Sequence, residues 1–238
     1  MSEESNIARL LDHALLHPTL TDAELRAGFE LARDLNVATV CVKPYAIPVA
    51  VEILAGTEVG VGTVIGFPHG SSPSEIKAAE AEWACQAGAG ELDMVINVGK
   101  VLSGDWDYVQ SDIDAVVQVA RRHQAIVKVI FETDFVTSDG DKKRLCQICE
   151  DLGVNYVKTS TGFGFVKQPE GNYNYQGATQ ADIRLMRETC GSQVGVKASG
   201  GIRNYQDAVT MRDLGATRLG TSASEAIVTG QPTQQEGY

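Results

Sequence analysis

The stretch that decides the fold is "NYVKTSTGFG" at residues 155–164, where a short apolar run ends on a lysine followed by small hydroxylated residues and a glycine. The stretch "VGVKASGGIR" at residues 194–203 repeats this design. Lysine is among the residues least often buried without a partner. A lysine at the end of each of two strand-like segments therefore needs either a structural partner or a chemical role.

Short β-branched segments of this kind alternate along the chain with longer amphipathic ones. We predict eight strands, at Leu11–Ala14, Val37–Val42, Val59–Ile65, Glu91–Asn97, Ala125–Glu132, Val154–Thr159, Gln193–Ser199 and Ala216–Thr221. Strand and helix repeated eight times over about 240 residues is the pattern of a (β/α)8 TIM barrel, an α/β fold. The alternative is a doubly wound open sheet, which the lack of a G-x-G-x-x-G motif in an early βα unit weakens.

Helical patterns fill the segments between the strands. Residues 72–89 and 107–124 show such patterns, and Thr21 begins a capping box ahead of another helix. Cys146 and Cys149 form a CxxC inside a segment that is also typical of a helix. We therefore interpret them as neighbours on one helix face rather than as a redox or metal motif.

The length and composition are those of a globular domain. The chain has 238 residues, of which 43% are hydrophobic and 21% are charged, and no linker divides it. We predict a single TIM-barrel domain over residues 1–238, with a helical N-terminal cap at about 1–10 and a flexible C-terminal tail at about 226–238.

The charge balance and the termini limit the partners. A net charge of −11 argues against a basic face for nucleic acid or for an anionic membrane. No apolar run is long enough to span a bilayer. The N-terminal segment lacks the apolar core of a signal peptide, and the five cysteines are scattered, so we predict a cytoplasmic protein.

Alternation along the strands predicts which polar residues face the barrel interior. In "VGVKAS" the apolar residues share one face, which must meet the surrounding helices, so Lys197 points inward. The same rule places at least four charged residues inside, with two further polar residues as additions: Asp93, Lys128, Lys158 and Lys197, with Asp12 and Asn97.

Clustered lysines in a barrel interior favour a reactive amine. Lysine attacks a carbonyl only when it is neutral, and both desolvation and a neighbouring cation lower its pKa. Lys158 and Lys197 lie on the sixth and seventh predicted strands, about 4.8 Å apart if the strands are adjacent. Asp93 could then supply acid and base chemistry. The alternative for Lys128 and Asp93 is an ion pair with a structural role only.

Glycine-rich strand ends favour a phosphate site. The loops after strands seven and eight of TIM barrels commonly bind phosphate through backbone N–H groups. Gly200, Gly201, Gly220 and Ser222 occupy these loops. The alternative is that they form tight turns.

Five segments of the chain, which include the lysine and glycine motifs above, resemble those of a known family. The segments "LDHALL", "GFPHG", "ELDMVINVGKV", "YVKTSTGF" and "VGVKASGGIR" together resemble the deoxyribose-phosphate aldolase family, from about residue 10 to 225. The resemblance implies a TIM barrel and a class I aldolase that needs no metal or other cofactor. It also implies reversible cleavage of 2-deoxy-D-ribose 5-phosphate to acetaldehyde and D-glyceraldehyde 3-phosphate.

The matching motifs imply roles for individual residues. Lys158 would form the Schiff base, Lys197 would lower its pKa, and Asp93 would relay protons. The substrate site would hold Asp12, Cys41, Lys128 and Thr159, and the phosphate would contact Gly162, Gly200, Gly201, Gly220 and Ser222. The expected partners are a sugar phosphate and aldehydes, and we expect a homodimer.

The sequence departs from the family pattern at several positions. Ala14 replaces a threonine of the first-strand motif, which removes a hydroxyl near the substrate. Phe163 replaces a phosphate-facing lysine of some members, so neutral donors and Arg203 would hold the phosphate.

Two further segments could cover the site. The loop 163–177 is longer than expected, and its Tyr173 and Tyr175 are candidates for a flap. Some family members have a C-terminal tyrosine that enters the site, and Tyr238 is the corresponding candidate, although a polar disordered end is the simpler interpretation.

Two other functions remain as alternatives. One is a sugar-phosphate isomerase that uses acid–base chemistry without a covalent intermediate. The other is a sugar-phosphate sensor that has the barrel but no turnover.

Overall fold

A computed structural model describes residues 7–230 of the chain. Residues 1–6 of the predicted cap and 231–238 of the predicted tail, including the candidate Tyr238, lie outside the described residues. The prediction that a flexible tail begins at about residue 226 is wrong, because Ser224–Thr229 is a helix.

Eight parallel strands form a closed barrel, as predicted. The strands are β1 Leu11–Leu15, β2 Thr39–Val42, β3 Gly60–Ile65, β4 Glu91–Val95, β5 Ile126–Ile130, β6 Tyr156–Lys158, β9 Gly195–Ser199 and β10 Arg218–Thr221, where β7 and β8 are two short strands outside the barrel. The order around the barrel is β1-β10-β9-β6-β5-β4-β3-β2. Seven of the eight predicted strands extend beyond these bounds, because their β-branched pattern continues into the flanking turns.

Helices surround the barrel. They are α1 Asp22–Asp34, α2 Ile47–Ile53 after a 3₁₀ turn, α3 Ser74–Gln86, α4 Val98–Leu102, α5 Trp106–His123, α6 Asp139–Asp151, α7 Gln180–Thr189, α8 Tyr205–Asp213 and α9 Ser224–Thr229. The Thr21 capping box at α1 is confirmed. Cys146 and Cys149 both lie in α6, so the helical interpretation of the CxxC is also confirmed.

Within residues 7–230, no helix has the length and apolar character needed to cross a bilayer.

The alternation of side chains in the strands follows the prediction. In β9, Val196 and Ala198 are buried beneath the helices, while Lys197 between them reaches carboxylates inside the barrel. Asn97 is the exception. The strand ends at Val95, and Asn97 instead caps α4 by accepting a hydrogen bond from the Lys100 N–H at 3.2 Å.

The loop after β6 contains a small hairpin that the sequence analysis did not predict. Strands β7 (Val166–Lys167) and β8 (Tyr173–Asn174) pair antiparallel. Gly171, with φ of +91°, lies in the turn between them. The hairpin stands on the rim where the barrel strands end.

Candidate active site

Three lysines converge on one carboxylate inside the barrel. Asp93 Oδ2 accepts hydrogen bonds from Lys158 Nζ at 2.7 Å and from Lys197 Nζ at 2.6 Å. Asp93 Oδ1 accepts one from Lys128 Nζ at 2.7 Å. These side chains come from the neighbouring strands β4, β5, β6 and β9, and all four are buried.

A second group of ion pairs extends this network. One Asp12 carboxylate oxygen lies 2.5 Å from Lys197 Nζ, and the other lies 2.6 Å from the Arg218 guanidinium. Glu91 Oε2 lies 2.6 Å from Lys128 Nζ and 3.2 Å from the Arg218 guanidinium. The sequence analysis missed Glu91 and Arg218. The alternation rule could have found both, since Glu91 lies two residues before Asp93 and Arg218 two before Gly220.

The charges in this network are not balanced. Four cations face three carboxylates, so full ionisation leaves one positive charge in excess: Lys128, Lys158, Lys197 and Arg218 against Asp12, Glu91 and Asp93. An unbalanced buried charge is costly. The network is neutral if one lysine releases its proton.

The electrostatics select Lys158 as that lysine. Burial lowers its pKa, and the Lys197 ammonium lowers it further, while Asp93 acts in the opposite direction. Burial also acts to lower the pKa values of Lys197 and Lys128, but their carboxylate neighbours outweigh it and raise both. The three lysines hold the pKa of Asp93 well below its usual range despite its burial. Lys158 is thus the amine most readily made neutral.

A cavity at the carboxyl ends of the strands gives access to this amine. Most of the predicted site residues line it: Asp12, Cys41, Lys158, Gly162, Tyr175, Lys197, Gly200, Gly201, Arg203, Gly220 and Ser222. Ala14, the departure from the family motif, lines it too, as do five residues that were not predicted: Leu16, Thr161, Ser199, Ile202 and Thr221.

Four predicted residues do not line the cavity. Asp93 and Lys128 lie beneath it, within the ion network. Thr159 is fully buried, and its hydroxyl pairs β6 with β9 through the Ser199 backbone. Tyr173 lies on the hairpin with 63% of its surface exposed. Of the two tyrosines in the long loop, only Tyr175 therefore contributes to the wall.

Glycines shape one side of the cavity. Gly162, Gly200 and Gly201 have φ between +80° and +91°, a region that side chains disfavour. Gly177 packs so closely on Gly200 that a Cβ atom on Gly177 would lie 2.7 Å from its backbone. This side of the cavity therefore exposes backbone rather than side chains.

Another part of the lining is apolar. Leu16 and Cys41 line it beside Ala14. Phe163 packs edge-on against Phe67 with ring centroids 5.5 Å apart, so it supplies hydrophobic surface where some family members have a lysine. Burial raises the pKa of the Cys41 thiol to about 11, so the thiol is neutral near pH 7. The cavity lining thus has a glycine-rich part that exposes backbone and an apolar part, and it includes Lys158.

Comparisons with known proteins identify the family of the chain. The model of the DeoC/LacD family aldolases matches residues 7–224. A deoxyribose-phosphate aldolase of Rhodopirellula baltica is 45% identical and covers 98% of this chain and 91% of the relative. One from Bacillus mycoides is 48% identical and covers 94% of this chain and 95% of the relative. The tetrameric deoxyribose phosphate aldolase of Aeropyrum pernix superposes with a TM-score of 0.84 at 29% identity, covering 95% of this chain and 91% of the other. The chain belongs to the DeoC/LacD family of aldolases.

Proposed function

We propose that the chain is a class I deoxyribose-phosphate aldolase. It cleaves 2-deoxy-D-ribose 5-phosphate reversibly to acetaldehyde and D-glyceraldehyde 3-phosphate through a Schiff base on Lys158. The observation that carries the proposal is that Lys158 and Lys197 share one oxygen of Asp93 directly below a cavity that both lysines line. The names of the relatives support the choice of substrate.

Imine formation begins with a neutral Lys158. The Lys158 ammonium releases its proton to the solvent in the cavity, which removes the excess charge of the network, and the free amine attacks the C1 aldehyde of the open-chain sugar. Asp93 accepts a proton from the nitrogen as the C–N bond forms, a proton from the solvent completes the carbinolamine hydroxyl, and Asp93 returns its proton to that hydroxyl, which leaves as water. Lys197 holds its own proton because Asp12 and Asp93 raise its pKa over the effect of burial. It is therefore the cation that stays in place while Lys158 reacts.

Cleavage follows from the iminium. Removal of the proton from the 3-hydroxyl breaks the C2–C3 bond, and the electron pair moves into the iminium to give an enamine on Lys158. D-glyceraldehyde 3-phosphate is the first product. Protonation of the enamine carbon and hydrolysis of the resulting iminium release acetaldehyde. The iminium is the electron sink, so the mechanism requires no metal ion.

The phosphate would bind on the glycine side of the cavity. Gly162, Gly200, Gly201 and Gly220 leave room for it, and Ser222 and Arg203 are the side chains there that could donate hydrogen bonds. Arg203 is a cation of the cavity lining that could offset the phosphate charge while Lys158 and Lys197 serve the chemistry. The apolar part would accommodate the acetaldehyde portion of the sugar.

Reductive trapping tests the proposal. The protein is incubated with acetaldehyde and borohydride, and the modified residue is located by mass spectrometry. We expect one stable adduct, on Lys158. A sugar-phosphate isomerase would give no adduct, and a sensor would show no cleavage of deoxyribose 5-phosphate. Either result in the wild-type protein would overturn the proposal.

The assembly and the cellular setting stay predictions. We propose a homodimer in the cytoplasm, which sedimentation and cell fractionation can test.

A further inference from the structure

Glu132 has a backbone conformation that its position does not explain. Its φ is +54°, in the left-handed region that non-glycine residues rarely adopt. Among residues 7–230, the other non-glycine residues with positive φ are Asn36 and Gln124, which both lie at helix ends, where this conformation is common. Glu132 instead follows strand β5. Such strain persists where the surroundings fix it, and it often marks a functional site.

The Glu132 side chain holds the loop that begins at Lys158. It is 1% exposed, and its Oε1 accepts a hydrogen bond from the Thr161 N–H at 3.2 Å. Its Oε2 accepts one from the Thr161 hydroxyl. A Cβ atom on Gly164 would lie 2.8 Å from the Glu132 carboxyl carbon, so the loop passes closely over it. Glu132 therefore binds the first part of the loop that forms the cavity wall.

Asp134, two residues later, holds the other end of this loop. Its Oδ1 accepts a hydrogen bond from the Gln176 N–H at 2.5 Å, and its Oδ2 accepts one from the Gly177 N–H at 3.0 Å. Gly177 in turn packs on Gly200 of the glycine side. The segment between the two contacts includes the β7–β8 hairpin and Tyr175, which lines the cavity.

We propose that Glu132 and Asp134 are positioning residues, a carboxylate clamp that fixes the 161–177 segment as the cavity wall and so determines selectivity for a phosphorylated substrate. The clamp acts through Thr161, Gly162 and Tyr175, which line the cavity, and neither carboxylate lines it. Lys158 Nζ is held separately by Asp93. Substrate binding should therefore depend on the clamp, while amine reactivity should not. The inference rests on the proposed function.

Substitution of the clamp should separate binding from chemistry. Glu132→Ala should raise KM for deoxyribose 5-phosphate by about tenfold or more, the effect of losing the two hydrogen bonds that Glu132 accepts from Thr161. Glu132→Gln keeps one acceptor oxygen and should recover part of the loss, and Asp134→Asn should behave similarly. kcat, activity on unphosphorylated deoxyribose and the acetaldehyde adduct on Lys158 should change little. Glu170→Gln, on the exposed hairpin turn, is the matched control and should match the wild type.

Two further measurements identify the contact and the loop. In a Thr161→Val background, Glu132→Gln should add little to the rise in KM, because the hydroxyl partner is already lost. Trypsin should cleave faster after Lys167, an exposed hairpin residue, in the Glu132 and Asp134 variants than in the Glu170 control.

The outcomes distinguish failure of the clamp from failure of the proposed function. A wild-type protein that neither forms the adduct nor cleaves the sugar would fail as an aldolase. The cleavage rate after Lys167 still tests the clamp in that case. An active wild type whose clamp variants show unchanged KM and unchanged cleavage would overturn the clamp. Equal losses on both sugars would assign Glu132 a purely structural role.

Discussion

Two buried lysines of this protein look alike and differ in what surrounds them. Lys77, on α3 outside the barrel, and Lys158, on β6 inside it, are 0% and 2% exposed. Each has a carboxylate partner, Asp112 at 2.5 Å and Asp93 at 2.7 Å. Burial is the largest cause of a lowered pKa in both. Neither burial, nor a carboxylate partner, nor the direction of the pKa shift marks an amine as reactive.

The two lysines differ in whether other lysines contact the same carboxylate and in whether the amine lines a cavity. Within residues 7–230, no second lysine forms an ion pair with Asp112, the partner of Lys77. Its ammonium also donates to the Val95 carbonyl at 2.9 Å, and Ser74 donates to the other Asp112 oxygen at 2.8 Å. Lys158 competes with two other lysines for one carboxylate and lines a cavity. A neighbouring cation and an open face, rather than burial, thus distinguish the candidate nucleophile from a structural lysine.

Loss of Lys158 is the strongest test of this comparison. Lys158→Ala should lower kcat on deoxyribose 5-phosphate by on the order of a thousandfold or more and abolish the borohydride adduct, because Lys197, the other amine that lines the cavity, keeps its proton. The variant should stay folded, since it removes a cation from a network with a positive excess. A trapped adduct on Lys197 or Lys128 in this variant would contradict the assignment.

Loss of Lys77 should affect stability instead. Lys77→Met leaves Asp112 buried without its cation, which should lower the free energy of unfolding by about 3–5 kcal/mol. Denaturant titration measures this change, and kcat of the folded fraction should stay near the wild-type value. The double variant Lys77→Met/Asp112→Leu should recover much of the loss. A Lys77 variant that folds normally and has lost turnover would break the comparison.

Removal of the Lys197 cation tests whether a neighbouring positive charge is what distinguishes Lys158 from Lys77. Lys197→Leu keeps bulk and removes the charge, so the pKa of Lys158 should rise and the amine should stay protonated to higher pH. The rising limb of the pH–rate profile should therefore move to alkaline pH, and the rate at neutral pH should fall by about a hundredfold. A shift to acid pH, or none, would mean that burial alone tunes Lys158.

Substitution of Gly201 in the cavity wall tests whether access through the cavity matters for the reaction. Gly201→Ala puts a side chain at φ +80° on the cavity wall and should lower kcat/KM for deoxyribose 5-phosphate by about tenfold. Unphosphorylated deoxyribose should be affected little. Gly171→Ala, at φ +91° in the hairpin turn with open space around it, is the matched control for backbone strain. Equal losses on both sugars would remove Gly201 from the phosphate site.

Alternation along the strands made much of the ion network predictable. When the apolar neighbours of a charged strand residue face the surrounding helices, the charged side chain must face the barrel interior. This argument predicts the inward positions of Asp93, Lys128, Lys158 and Lys197. The rule failed for Asn97, because it lies beyond the end of its strand and alternation stops there. A periodic pattern cannot show where the last ladder hydrogen bond forms.

Long-range contacts account for what sequence reasoning missed. The β7–β8 hairpin has two-residue strands, too short for a periodic signal. Glu132 was included in a predicted strand that ends at Ile130, and its contact with Thr161 joins two loops that no local pattern connects. Loop geometry depends on such contacts, whereas barrel strands depend mainly on their own alternation.

The ion network also bears on the order in which the chain folds. Asp12 lies on the first strand and its partners Lys197 and Arg218 lie on the last two, so these contacts span 185 and 206 residues of sequence. The cost of closing such long loops means that the pairs form late, when the two ends of the sheet meet. Until then the buried carboxylate lacks these two charges, and Lys128, 3.1 Å away in the finished barrel, is its remaining cation. The same charges that favour a free amine in the finished barrel therefore disfavour any compact state in which the barrel is still open.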